Sequence, residues 1–209
     1  MSKYYNEFYK GSPSQFQIDL LEILLKDEEN PNVLEIGSGN GFLLNYMKDN
    51  NIKCGGVEIL DYLYDNSKKQ SFEMYKSVFD VEYKKFNCIY MNNVIEHMKL
   101  EEIYYVLKNF NGKIIISTPD IRMEGVAFKL PQRNRQSFWD DYQHIKPYTP
   151  TALQRLLNDF SFEIIELQRV KNKYGNKYKD LIIDSYYALL ELFTGIKHPF
   201  YIKAKKCLN

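Results

Sequence analysis

The 209-residue chain carries only three cysteines, Cys54, Cys88 and Cys207, and three histidines, His97, His144 and His198. Two of the thiols fall inside apolar runs, so they read as buried groups of a reducing compartment and exclude a disulfide scaffold. Net charge is also scarce, since 28 Lys and Arg face 27 Asp and Glu for a formal +1. No overall field draws such a chain to nucleic acid or to an anionic membrane. No apolar run reaches the length of a membrane span, and Met1-Ser2-Lys3-Tyr4-Tyr5-Asn6-Glu7 lacks the apolar centre of a signal peptide. Repeats, linkers and low-complexity segments are missing as well. A cytoplasmic protein folding as one domain over residues 1–209 is expected, with no nucleic-acid partner.

What is present is organised around Asn32-Val33-Leu34-Glu35-Ile36-Gly37-Ser38-Gly39-Asn40-Gly41. Val33, Leu34 and Ile36 read as a buried strand of a parallel sheet, and Phe42, Leu43, Leu44 and Met47 open a helix. A strand, a glycine turn and a helix form the first half of a Rossmann-like unit, in which a nucleoside ligand meets close backbone and a helix N-terminus. A dinucleotide fingerprint requires glycine where Phe42 stands, which disfavours a nicotinamide-dependent dehydrogenase. The pattern is instead E-x-G-x-G-x-G. About 20 residues on, Gly55-Gly56-Val57-Glu58-Ile59 is a second strand ending in an acid that can accept both hydroxyls of a ribose.

These two pieces resemble the class I S-adenosylmethionine-dependent methyltransferases. The run Phe86-Asn87-Cys88-Ile89 through Glu96-His97 is similar to the fourth-strand motif of the ubiquinone-biosynthesis type, F-D-x-I followed by E-H, with Asn87 at the aspartate position. The resemblance implies an α/β fold: a Rossmann-like, seven-stranded, mostly parallel sheet with helices on both faces and an antiparallel last strand. It implies S-adenosyl-L-methionine as cofactor, held by Glu35, Gly37, Ser38, Gly39, Gly41, Glu58, Ile59 and Asn92, with Asp80 and Val81 at the adenine. Each of these last two is equally an ordinary surface-loop residue.

The remaining elements follow from pattern. Ser12-Pro13-Ser14-Gln15 has the form of a capping box with proline at the first helical position, followed by Ile18, Leu21, Leu24 and Leu25 on one face. Gln17, at the start of that helix, is placed by the resemblance near the cofactor's carboxylate end. Residues 1–30 thus form an N-terminal arm, crowded with Tyr4, Tyr5, Phe8 and Tyr9, and a helix. Helices are expected over Asp61 to Lys69, from Leu100 to Phe110, from Pro150, and over 181–193. Further strands are expected at 113–118, 162–167 and 200–204.

Residues 120–147 lack clean periodicity and are long for a connector, so they read as a substrate lid. Arg122, Lys129, Arg133, Arg135, Phe128, Phe138 and Trp139 could hold a sugar, an anion or an aromatic ring. Arg133, Arg135 and Trp139 are the substrate candidates, against a reading in which each charge simply faces water.

Methyl transfer uses an activated donor, so positioning supplies much of the acceleration. A hydroxyl acceptor benefits from a base, and histidine has the right pKa. His97 in the E-H pair and His144 in His144-Ile145-Lys146-Pro147-Tyr148-Thr149 are the catalytic candidates; the first is equally a helix cap and the second a lid anchor. His198 reads as structural. An oxygen-rich magnesium site from Asp120, Asp140 and Asp141 with Asn92 or Asn93 has weak spacing, and no metal is expected. The expected activity is methylation of a small-molecule or glycan acceptor, at a hydroxyl. N-methylation of an amine or protein side chain, and a non-catalytic cofactor-binding protein, stay open, as does a homodimer.

Overall fold

The computed structural model describes residues 11–124, 141–169 and 199–207, with Ser185, Ala188 and Leu192 as isolated positions. In chain order the elements are α1 (Gln15–Leu25), β1 (Asn32–Ile36), α2 (Phe42–Asp49), β2 (Lys53–Val57), α3 (Asp61–Lys69), β3 (Glu73–Tyr75) and β4 (Cys88–Asn92). Then come α4 (Leu100–Asn109), β5 (Lys113–Thr118), α5 (Pro150–Asp159), β6 (Phe162–Arg169) and β7 (Phe200–Lys206).

The strands form one sheet in the order β3-β2-β1-β4-β5-β7-β6. The pairs from β3 through β5 are parallel, and β7 runs antiparallel to both β5 and β6. The expected fold class is therefore the observed one. Each central strand is buried on both faces, and alternate side chains supply two separate cores, as the two-residue period of a strand requires. Leu34, Ile36, Ile89, Met91, Ile114 and Ile116 pack with Ile103, Val106 and Leu107 of α4 and Leu153 and Leu157 of α5. Val33, Cys88, Tyr90 and Ile115 point the other way, onto Leu20, Leu21 and Leu24 of α1 and Leu43, Leu44 and Met47 of α2. Burial pushes the Cys54 and Cys88 thiols up to about 12, and all three cysteines are free.

The start of α1 differs from the sequence expectation. Ser14, not Ser12, is the N-cap: its Oγ accepts from Gln17 N–H at 3.3 Å while Gln17 Oε1 accepts from Ser14 N–H at 2.9 Å. Pro13 therefore lies before the helix. The reciprocal pairing needs serine and glutamine three residues apart, which Ser14 and Gln17 provide as well as Ser12 and Gln15 do. At the other end, Lys203 Nζ donates to Ile23 O at 2.6 Å, and Lys113 Nζ donates to Lys26 O at 3.2 Å and pairs with Glu28 at 2.7 Å. Two neighbouring strands thus place cations at the negative end of the helix.

Asn87 has a specific task. Its Oδ1 accepts the Asn32 N–H at 2.7 Å and its Nδ2 donates to Asn30 O at 2.9 Å, so one amide ties the entry of β4 to the entry of β1. A carboxylate could make only the first bond.

Several expectations fall outside the described residues: the arm at 1–10, the central part of the expected lid with Lys129, Arg133, Arg135 and Trp139, the tail helix at 181–193 except for Ser185, Ala188 and Leu192, and His198. Among the described residues no helix is long and apolar enough to cross a membrane.

Candidate active site

The sheet order reverses between β1 and β4, and a crevice opens beyond the carboxyl ends of the strands at such a point. A cavity of about 650 Å³ occupies it. One part of its wall is the turn after β1, from Gly37 to Asn40, with Glu35 beneath. Asn92 ends β4 and Asn93, Glu96 and His97 follow it, Pro119 follows β5, Asp141 and His144 come from the segment before α5, and Ser12, Ser14, Phe16 and Gln17 bring in the start of α1.

The turn is shaped by what cannot be there. Gly37 has φ +79°, and a Cβ on it would lie 2.6 Å from Val94 Cγ2. Its N–H and that of Ser38 both donate to Val57 O, at 2.9 and 3.1 Å, pinning the turn to the end of β2. Gly39 N–H donates to Glu58 Oε2 at 2.8 Å, and Leu60 N–H donates to Oε1 at 2.8 Å. Glu35 is buried, with no hydrogen-bond partner for Oε2 among the described residues. Burial, reinforced by the Glu58 charge, holds its carboxyl well above the usual carboxylate range.

Facing the same cavity is a second polar group. After β4 the backbone passes through Asn93 in the left-handed region, φ 50°, into a short turn over Ile95–His97. Glu96 is 1% exposed; Oε2 accepts from Thr118 Oγ1 at 3.0 Å, while Oε1 finds no partner among the described residues. Burial raises its carboxyl to about 7. Its backbone oxygen accepts the Ile145 and Lys146 N–H groups at 2.8 and 3.1 Å, docking the segment before α5 onto the turn that follows β4. His144 is thereby set beside His97, ring centroids 4.5 Å apart. Burial lowers the His97 pKa, and the neutral imidazole is the form that accepts a proton or holds a cation. His97 Nδ1 is buried and unpartnered among the described residues, and Asp141 Oδ2 lies 3.9 Å from His144 Nε2.

The sequence matches the model of a methyltransferase-domain family over residues 5–167, well over half of the chain. The chain belongs to that family. No curated protein matches it. Solved structures share the fold at low identity. A SAM-dependent methyltransferase from Archaeoglobus fulgidus is 18% identical with a TM-score of 0.66, over 98% of this chain and 100% of that one. A putative S-adenosylmethionine-dependent methyltransferase from Listeria monocytogenes is 16% identical at 0.65, covering 93% and 98%. Magnesium protoporphyrin IX methyltransferase from Synechocystis PCC 6803, solved with bound SAH, is 11% identical at 0.62, covering 98% and 92%.

In this methyltransferase the fold brings Glu35, Gly37, Ser38, Gly39, Asn92, His97 and His144 to one cavity, together with Gln17. Gln17 is already used by the α1 cap, which gives it a structural role of its own. Glu58, Gly41, Ile59, Asp80 and Val81 stand outside that lining. Glu58 is buried behind the turn, Ile59 is 71% exposed just beyond it, and Asp80 and Val81 close a short turn after β3. Arg122, considered as part of the substrate wall, forms a two-pronged pair with buried Asp120, with Nη2 2.6 Å from Oδ2. That pairing also removes Asp120 from any oxygen-rich metal site. Sequence reasoning quoted Glu96 only as a motif letter and gave Asp141 no place beside His144. The E-H spelling was the available signal for the first; nothing local signals the second.

Proposed function

We propose that this methyltransferase transfers a methyl group from S-adenosylmethionine to a hydroxyl of a small molecule or glycan in the cytoplasm. The cofactor fits the residues present. Gly37 leaves backbone exposed where any side chain would strike Val94, and Glu35 Oε2, on the same cavity, has no hydrogen-bond partner among the described residues. The N-terminus of α1 opens on the same space, a setting that favours a ligand carboxylate. Glu58 would hold the ribose through the lone pairs its backbone bonds leave free, with Ile59, Asp80 and Val81 beside the adenine. When bound, the cofactor supplies a methyl group activated on a sulfonium.

One observation carries the choice of acceptor: a polar face of Glu96, His97 and His144 lines the same cavity as the glycine turn. An amine acceptor needs no help in losing a proton before attack if it arrives neutral, whereas a hydroxyl does. Two imidazoles and a buried carboxylate are suited to that task. The lid, with Arg133, Arg135 and Trp139, would supply the acceptor's other contacts. The test is release of S-adenosylhomocysteine from a panel of hydroxylated and amine acceptors of matched skeleton. Turnover confined to the hydroxyl series is expected, and turnover confined to the amines would reverse the reading.

A further inference from the structure

The polar face has a feature that a simple proton acceptor does not require. Glu96, His97 and His144 each offer a ligand atom, and these atoms all lie within 4.8 Å of one another. Glu96 Oε1 and His97 Nδ1 are both buried acceptor positions without a hydrogen-bond partner among the described residues. Two buried polar atoms without partners, on adjacent residues of one cluster, call for a donor or a cation to reach them.

We propose that Glu96, His97 and His144 bind a divalent transition-metal ion, which in turn binds the hydroxyl oxygen of the acceptor. The second half rests on the hydroxyl-acceptor reading; the first does not. The donor set is two imidazoles and one carboxylate, the chemistry that suits zinc, cobalt, iron or manganese rather than magnesium or calcium. An ion holding N and O donors at about 2.0–2.2 Å in tetrahedral array needs them roughly 3.4 Å apart, and these ligand atoms lie within 4.8 Å of one another.

The support behind these ligands is already in place. Thr118 fixes one oxygen of Glu96 and leaves the other for the ion. The backbone bonds from Ile145 and Lys146 to Glu96 O hold His144 in register with Glu96, although the two come from distant parts of the chain. Asp141 stands beside His144, its Oδ2 3.9 Å from Nε2, a distance of charge attraction rather than of a hydrogen bond. Three protein ligands leave a coordination position open, the mark of a catalytic rather than a structural site.

The chemistry then divides differently among the residues. The imidazoles are ligands, and the cation makes the coordinated hydroxyl acidic. Its O–H bond breaks, the electron pair stays on the oxygen, and the proton leaves by way of the Asp141 carboxylate to water. One carboxylate against a dication leaves a net positive charge to balance the new oxyanion.

Metal-stripped full-length protein titrated with Co²⁺, followed by its visible absorption, tests the site without any acceptor. One equivalent should bind with bands of a low-symmetry nitrogen and oxygen environment. Glu96→Gln, which preserves the shape of Glu96, and His144→Ala should each weaken Co²⁺ binding at least tenfold while S-adenosylmethionine affinity, read by calorimetry, stays unchanged and certifies the fold. Absence of stoichiometric Co²⁺ binding in wild type that binds the cofactor would overturn the site, as would unchanged Co²⁺ affinity in both variants. If Co²⁺ binds as expected, stripping should abolish hydroxyl methylation and metal should restore it. Full hydroxyl turnover in the stripped protein would overturn the role in acceptor activation. A protein that binds Co²⁺ but methylates only amines would instead overturn the hydroxyl reading, leaving the metal site standing.

Discussion

His97 and His144, remote in sequence, meet with ring centroids 4.5 Å apart on a cavity they share with the Gly37–Asn40 turn. The contact exists because Glu96 plays two parts, its backbone oxygen docking Ile145 and Lys146 while its side chain reaches Thr118. Replacement of either histidine by alanine should cost turnover about a hundredfold or more and leave cofactor affinity nearly intact. Single-turnover rates together with calorimetry separate the two effects. Unchanged turnover in both variants would remove the pair from the chemistry.

Gly37 is confined by conformation and by space at once, with φ +79° and its missing Cβ 2.6 Å from Val94 Cγ2. Gly37→Ala should destabilise the protein by about 1–3 kcal/mol and abolish cofactor binding. Adding Val94→Ala relieves the collision but not the backbone strain. The double variant should therefore recover part of the stability in thermal unfolding, and full recovery would show that φ is no constraint there.

Glu35 gives a pH dependence whose sign is fixed by its environment. Its folded-state pKa is raised above the ordinary 4.5 by burial and then by Glu58, so the fold favours the protonated form. The stability this contributes is fully present below the ordinary value and is lost as pH rises toward the raised one. Glu35→Gln keeps the shape and removes the ionisation. In the cofactor-free protein the variant should match wild type near pH ~4 and exceed it by about 1–2 kcal/mol near pH ~8, measured by denaturant unfolding. A difference independent of pH would contradict the assignment.

Asn87→Asp tests the tie between the entries of β1 and β4. The aspartate of the resembling motif would keep the bond from Asn32 N–H but lose the donor to Asn30 O and set a charge against that oxygen. A loss of about 1 kcal/mol is expected, with cofactor affinity unaltered.

The central sheet was legible because its strands are apolar runs closed by turn residues, and the reversal at β7 was what the family resemblance implied. The cap of α1 was misplaced by two residues because Ser12 and Ser14 offer the same local chemistry, and only the docked helix decides between them. In the site, Glu35 and the glycines announce themselves by spacing. Glu96 did not, since neither its burial nor the bond of its side chain to Thr118 can be read from neighbours in sequence. Asp141 meets His144 only through a turn in which His144 N–H bonds Asp141 O at 3.0 Å.

The central claim, that the glycine turn and Glu58 hold S-adenosylmethionine, is tested most directly by calorimetric titration of wild type and Glu58→Ala with the cofactor and its demethylated product. Micromolar binding is expected in wild type, weakened on the order of a hundredfold in the variant by loss of two carboxylate hydrogen bonds to the ribose. A folded wild-type protein that binds neither compound, or a variant that binds both as tightly, would contradict it.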